Sequence, residues 1–455
     1  MDAMTWNPDS WRSRTFHQRP PYEDEAAVEA VERELRCLPP LVTSWEIESL
    51  RELLAEAQEG RRFVLQGGDC AEVVEECQSP IITNKLKILL QMSLVLVHGL
   101  QKPAIRIGRF AGQYAKPRSS PNETREIDGK ELTLPSYFGD LVNRAAFDPT
   151  SRKPDPHHMV KGYLHAGMTL NFVRALVDGG FADLHHPEQW DLGFTDHHGL
   201  SEELRSEYRR MSRNLADGLR LMEALGEAQI EDLTRTDFFT SHEGLNLYYE
   251  SAQTRRVPRR EGHYLLNTHM PWIGERTRQL DGAHVEFFRG TRNPIGVKIG
   301  PTTTPDELAR LTDRLDPHEE PGRMVLITRM GEERVSEALP PLLEALRGRR
   351  VLWMADPMHG NTRTTPAGVK TRSFDAILKD LESTIDAHAA AGTILGGVHF
   401  ELTGEDVTEC TGGAAGLTDE ELSGNYASLC DPRLNYQQSL ELAFLLARRL
   451  SNGRN

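Results

Sequence analysis

From about residue 61 the chain settles into a repeating rhythm, in which a short apolar, β-branched run is followed by a helical pattern and then another run. The runs are FVLQGGDC (63–70), AIRIGRFAG (104–112), DFFTSHEG (237–244), HYLLNTHMPWIGER (263–276), IGVKIGP (295–301), MVLITRMG (324–331), VLWMADPMHGNT (351–362) and GGVHFELTG (396–404). None alternates strictly between apolar and polar residues, as expected of strands buried on both faces in a parallel sheet covered by helices. Helical periodicity fills most of the gaps, at 81–100, 159–179, 201–225, 305–315, 335–347, 374–392 and 436–450. Eight such strands with crossovers predict an α/β fold, a single (β/α)₈ TIM-type barrel. An open doubly wound sheet is the alternative that the strand count leaves standing.

The same pattern predicts additions to that barrel. Residues 1–60 read as an N-terminal arm: Trp6 to Tyr22 is polar and Pro-rich, and two helical patterns follow. The second places Trp45, Ile47, Leu50, Leu53 and Leu54 at helical spacing behind a Thr43 or Ser44 cap. Residues 61–455 then form the catalytic barrel. Within it, 116–155 reads as a long active-site loop and about 183–230 as an inserted helical pair. The Arg-rich face of that pair reads as solvated surface, with a regulatory or interface role as the alternative. The most apolar stretch, Ile88 to Leu100, is interrupted by Gln91, Ser93 and His98, so a buried helix is expected rather than a membrane span. The first residues lack the apolar core of a secretory signal.

Composition narrows the partners. With 53 Lys plus Arg against 68 Asp plus Glu, the net charge is −15, which argues against a nucleic-acid or anionic-membrane surface. It leaves room for a local basic pocket. Cys37, Cys70, Cys77, Cys410 and Cys430 are too few and too scattered for a disulfide framework, so a reducing cytoplasm is the expected location.

Two groups of side chains carry candidate chemistry. Cys70, His359, Glu401 and Asp431 lie on four separate segments, without the paired spacing of a zinc finger. Singly, each has an ordinary reading as a buried thiol, a loop histidine or a surface carboxylate. Cys70, His359 and Glu401, however, sit at or just past strand ends, where a barrel would converge them. A thiolate, an imidazole and two carboxylates suit a catalytic divalent ion. The second group is cationic: Arg106, Arg109, Lys116, Arg118, Arg276, Arg278, Lys298 and Arg329 fall at strand ends or in the loops that follow. So many cations in an acidic chain point to a substrate with at least two anionic groups. The glycine phrases match neither GxGxxG nor GxxxxGK[ST], and SHEG is no nucleophile elbow, so dinucleotide redox, ATP hydrolysis and serine hydrolysis are set aside.

RIGRFAGQYAKPRSS (106–120), WIGERTRQLDGAHVEFFRGTRNPIGVKIGP (272–301), LITRMG (326–331), ADPMHGNT (355–362), GGVHFELTG (396–404), VTEC (407–410) and CDPRLN (430–435) together resemble the class II, plant-like 3-deoxy-D-arabino-heptulosonate 7-phosphate (DAHP) synthases. The resemblance runs in order along nearly the whole chain. It implies a condensation of phosphoenolpyruvate with D-erythrose 4-phosphate that releases phosphate, the first step of the shikimate pathway toward chorismate and the aromatic amino acids. The metal ligands would be Cys70, His359, Glu401 and Asp431, holding one divalent ion per subunit: manganese by preference, with cobalt, iron or zinc as alternatives. Phosphoenolpyruvate would meet Arg109, Glu275, Arg276, Lys298 and Arg329, and erythrose 4-phosphate would meet Lys116, Arg118, Ser119 and Arg276. Lys298 would act as proton donor or electrostatic partner, and Glu275 would orient water. The family further implies a homodimer or homotetramer and aromatic amino acids as inhibitors, with no nucleic acid or membrane as partner. Cys430, beside Asp431, is either a reduced bystander or a partner for Cys70 in a disulfide. Two alternatives stand beside this reading: another phosphoenolpyruvate-using sugar-acid synthase, and a non-catalytic regulatory relative.

Overall fold

The computed structural model describes residues 6–179 and 237–452, with scattered helical positions between 202 and 213. The inserted helical pair expected at 183–230 otherwise lies outside the described residues. Each of the eight apolar runs contributes a strand to one sheet: β1 Phe63–Gly68, β2 Ala104–Arg109, β3 Phe238–Thr240, β4 Trp272–Ile273, β5 Ile295–Ile299, β6 Met324–Thr328, β7 Leu352–Ala355 and β8 Leu395–Glu401. Their order is β3-β2-β1-β8-β7-β6-β5-β4, and every pairing in the sheet is parallel. The two end strands meet. Glu243, just past β3, bridges Trp272 of β4 in parallel, and the Trp272 N–H donates to the His242 carbonyl at 3.0 Å. The sheet is thus a curled, eight-stranded parallel one of the α/β-barrel type.

Among the described residues, eight long helices accompany it: α1 Glu25–Cys37, α2 Ser44–Gln58, α3 Ser79–Leu100, α4 His158–Asp178, α5 Pro305–Leu315, α6 Val335–Ala345, α7 Phe374–Ala391 and α8 Tyr436–Asn452. Local signals start several of them. Thr43 and Glu46 form a reciprocal capping box at α2, and Thr304 caps α5, where Pro305 and two acidic residues open the first turn. α3 is long and apolar enough to cross a membrane, yet most of it is packed inside the fold, chiefly against α8.

Strand parity decides which side chains face inward. Val64, Ile105, Ile107, Phe239, Trp272, Val325, Ile327, Leu352 and Met354 form one cluster within the curled sheet, and Leu50, Leu54 and Ala57 of α2 complete it. The second arm helix is therefore the floor of the barrel, a contact that periodicity alone did not reveal.

Two expectations need correction in detail. The run at 263–276 supplies only Trp272–Ile273 to the main sheet. Tyr264–Leu265 pairs instead with Thr254–Arg255 in an antiparallel ribbon, because the Asn293 side chain holds the Leu265 N–H and carbonyl and reaches the Thr268 and His269 carbonyls. The interval 116–155 is not one open loop, since it folds an antiparallel hairpin of Asn122–Ile127 and Lys130–Pro135.

At the strand N-terminal ends, the buried guanidinium of Arg323 donates to the carbonyls of Phe288, Arg289, Thr291, Asn293 and Leu315. Removing such a donor strands buried acceptors at about 1–3 kcal/mol each. Arg323→Met should therefore lower the urea midpoint by the equivalent of about 3 kcal/mol while leaving substrate KM values unchanged. A midpoint equal to the parent's would show that the carbonyls find other partners.

Candidate active site

All eight strands deliver side chains to one cavity of about 200 Å³ at their C-terminal ends. Its lining includes Cys70 after β1, Arg109 at the end of β2, Glu243 after β3, Glu275 and Arg276 after β4, Lys298 in β5, Arg329 after β6, His359 after β7 and Glu401 at the end of β8. Asp431, from the segment before α8, joins them. Parity explains the selection: in β2, Ile105, Ile107 and Arg109 share the inner face, and in β5 Lys298 alternates with the outward Val297 and Ile299.

The four expected cation ligands converge. One donor atom each from Cys70, Glu401 and Asp431 lies within 4.8 Å of the other two, and His359 Nε2 is 2.8 Å from Glu401 Oε1. Lys116 Nζ sits 2.6 Å from Cys70 Sγ and 2.7 Å from an Asp431 oxygen. An ammonium thus already stands where these donors attract positive charge, and the residues fit a cation of mixed sulfur, nitrogen and oxygen preference. Burial, a hydrogen bond donated to Cys430 and the Glu401 charge push the Cys70 thiol up. Burial would raise Glu401 too, but His359, Arg372 and Arg109 hold it well below the usual carboxylate range. Asp431 is likewise held low against burial, by Lys116.

The cationic group is only partly gathered here. Arg109 is fully buried and donates 2.9 Å to Glu401 Oε1, with its guanidinium 5.2 Å from the Trp272 ring centre. Lys298 Nζ donates to Asp356, whose same oxygen is 2.8 Å from His359 Nδ1. Burial lowers the Lys298 ammonium to about 8 in spite of that carboxylate. Arg329 donates 2.7 Å to the His359 carbonyl. Arg118 is half-buried and Ser119 exposed, and neither lines the cavity, although their neighbours Lys116 and Pro117 do. Arg106 and Arg278 do not belong with the anion contacts. Arg106 has the outward parity of β2 and donates to Ser93 of α3, while Arg278 binds Glu307, Thr303 and, at 2.9 Å, Glu275. Arg278 thereby orients a carboxylate of the site without lining it.

Residue reasoning missed Gln113, Glu243, Trp272, Asp356, His399 and Arg372. Asp356 and His399 stood inside phrases already singled out, and Glu243 ends a strand run, so position was an available signal for these three. Arg372, which donates 2.7 Å to Glu401 from outside the strand runs, had none. Glu243 Oε1 is buried without a hydrogen-bond partner among the described residues, and burial raises its carboxyl. Its carboxylate fits only because residue 274 is glycine: a Cβ there would lie 2.0 Å from Glu243 Oε1. The Cys70 and Cys430 side chains are hydrogen-bonded to each other, and both are free thiols.

Glu72, two residues past Cys70, fixes the turn after β2. Its carboxylate accepts the backbone N–H groups of Ala111, Gly112 and Gln113 at 2.7–2.9 Å, which holds Ala111 at φ +62°. That turn aims Gln113 and Lys116 into the cavity. Three unpaired buried N–H groups cost about 1–3 kcal/mol each, so Glu72→Leu should destabilise by more than about 3 kcal/mol in urea unfolding, and Glu72→Gln by less than half of that. Equal losses in the two variants would mean that the loss reflects side-chain shape rather than the acceptor.

An α/β sheet of this kind, with its charged side chains gathered at the strand C-terminal ends, is the arrangement of a barrel enzyme. The chain belongs to the class-II DAHP synthetase family, whose model matches residues 6–447. A relative from Neurospora crassa, named phospho-2-dehydro-3-deoxyheptonate aldolase, is 47% identical over 464 aligned residues that cover 98% of this chain and 94% of its own. One of the same name from Streptomyces coelicolor is 45% identical, covering 96% of each chain. Another, from Mycolicibacterium smegmatis, is 43% identical over 99% of this chain and 96% of its own.

Proposed function

We propose that this enzyme condenses phosphoenolpyruvate with D-erythrose 4-phosphate to give DAHP and inorganic phosphate, opening the shikimate route to the aromatic amino acids. The observation that carries the reading is the convergence of Cys70, His359, Glu401 and Asp431 beside Arg109, Lys298 and Arg329 in one cavity. The names of the three relatives support it. We read residues 1–60 as the arm and 61–455 as the catalytic barrel, in a homodimer or homotetramer. The free state of all five cysteines supports a cytoplasmic location.

In this reading C3 of phosphoenolpyruvate attacks the aldehyde carbon, water adds at C2, and the C2–O bond to phosphate then breaks. A divalent ion on Cys70, His359, Glu401 and Asp431, manganese before cobalt, iron or zinc, would supply Lewis-acid polarisation of the aldehyde oxygen when bound. The chain's own groups do the rest. Arg109, Arg276, Lys298 and Arg329 hold the carboxylate and phosphate of phosphoenolpyruvate and cut the entropic cost of the encounter. Lys116, which a cation held by Cys70 and Asp431 would release from them, joins Arg118, Ser119 and Arg276 on the sugar phosphate. Glu275, oriented by Arg278, directs the water, and Lys298 acts near C2–C3 as proton donor or electrostatic partner.

Phosphate release measured after chelation should be lost and should return on metal add-back, with erythrose 4-phosphate as the productive aldose. Turnover with arabinose 5-phosphate or a mannosamine derivative instead would move the enzyme to a sister sugar-acid synthase, and no turnover with any aldose would favour the regulatory relative. Lys298→Met should lower kcat by about 10²–10⁴-fold, the range for a lost general acid, with the far-ultraviolet spectrum unchanged. Because an ammonium donates only while protonated, kcat/KM for phosphoenolpyruvate should fall as pH rises through about 8. A profile flat to pH 9.5 would remove Lys298 from proton transfer.

A further inference from the structure

Asp380 lies on α7, outside the sheet and away from the cavity lining, yet it is only 2% exposed. One of its oxygens accepts the Gly331 N–H at 3.0 Å and the Asn361 side-chain amide at 2.9 Å, and the other accepts Thr384 Oγ1 at 3.4 Å. Gly331 is two residues past Arg329, and Asn361 is two past His359. We propose that Asp380 is a positioning residue that clamps the loop after β6 to the loop after β7, and so fixes Arg329 and His359 relative to each other.

The rest of the local geometry fits a clamp. Asn361 donates to Pro357 O at 2.8 Å and accepts the Glu332 N–H at 2.9 Å, so it spans both loops. The Arg329 guanidinium donates to the His359 carbonyl at 2.7 Å. The two backbones touch at Gly360, where a Cβ would lie 2.3 Å from the Gly331 nitrogen. A helix of 18 residues gives the two loops one rigid anchor. Stability alone does not account for the group: burial, with Asp356 nearby, pushes the Asp380 carboxyl up to about 7, so its ionisation works against folding at neutral pH. A group kept at such a cost is typical of a site that trades stability for arrangement.

The inference rests on the proposed reading only in assigning Arg329 to substrate and His359 to the cation. The full-length enzyme is compared with Asp380→Asn, Asn361→Ala and the double variant. Phosphoenolpyruvate binding is read by calorimetry, manganese retention by dialysis and folding by thermal melt. Asp380→Asn turns an acceptor that faces two donors into a mixed group, and each single variant should weaken both phosphoenolpyruvate and manganese about 5–10-fold, the scale of one ordinary hydrogen bond. The double variant should be no weaker than the poorer single one, because both act through one clamp. A KM for erythrose 4-phosphate within about 2-fold of the parent's completes the expected pattern, since that substrate is assigned to other loops. The proposal is overturned if a folded Asp380→Asn binds both ligands as the parent does, or if the two single effects simply add. Asn361→Ala, at a half-buried position, carries the same test should Asp380→Asn not fold. The two binding measurements need no turnover, so they judge the clamp even where erythrose 4-phosphate proves not to be the second substrate.

Discussion

Burying the Glu401 carboxylate at the end of β8 obliges the chain to surround it with positive charge, because an unpaired charge in a dry interior is very costly. Arg109 answers from β2, Arg372 from the segment before α7, and His359 from the loop after β7. Each of these is itself held in turn. Arg109 lies near the Trp272 ring, His359 leans on Asp356, and Asp356 takes Lys298. One buried charge thus links five strands into a single network, and the cavity is the space that this network leaves open. The same network explains how an acidic protein carries a concentrated positive field in one place.

Much of the fold was legible because a parallel sheet covered by helices writes short, unbroken apolar runs and helical periodicity alternately into the chain. Seven of the strand runs and the helix at 305–315 stood out for that reason, whereas the run at 263–276 overstates β4, since only Trp272 and Ile273 pair in the main sheet. The role of α2 was hidden because its apolar stripe looks alike whether it covers an outer wall or closes the inside. For the site, residue type at a strand end was a good guide and residue type within a strand was not. Arg106 and Arg109 share β2, but an odd separation of three residues puts their side chains on opposite faces, and only the second reaches the cavity. Contacts that arrive from outside the strand runs, such as Arg372 and Asp380, left no local mark in the sequence.

The site also shows how small residues make room for charged ones. Gly274 admits the Glu243 carboxylate, and the tight turn at Ala111 is tolerated because Glu72 satisfies three successive amides. Cys430 meets Cys70 in a hydrogen bond, so a sulfur outside the cavity lining bears on the acidity of one within it. In each case one residue sets the space, backbone shape or acidity of its neighbour.

The floor made by α2 has a consequence for how the molecule comes into being. Its residues Leu50, Leu54 and Ala57 leave the ribosome long before Val325, Leu352 and Met354, with which they share one cluster. β1 must likewise wait for β8, its neighbour in the sheet, which is encoded more than three hundred positions later. The nascent chain therefore carries an uncovered greasy helix, and a first strand paired with β2 on one edge only, through most of its synthesis. Contacts so distant in sequence are slow to form and prone to wrong partners. Such a polypeptide has reason to depend on chaperones during translation, however firmly its finished barrel holds together.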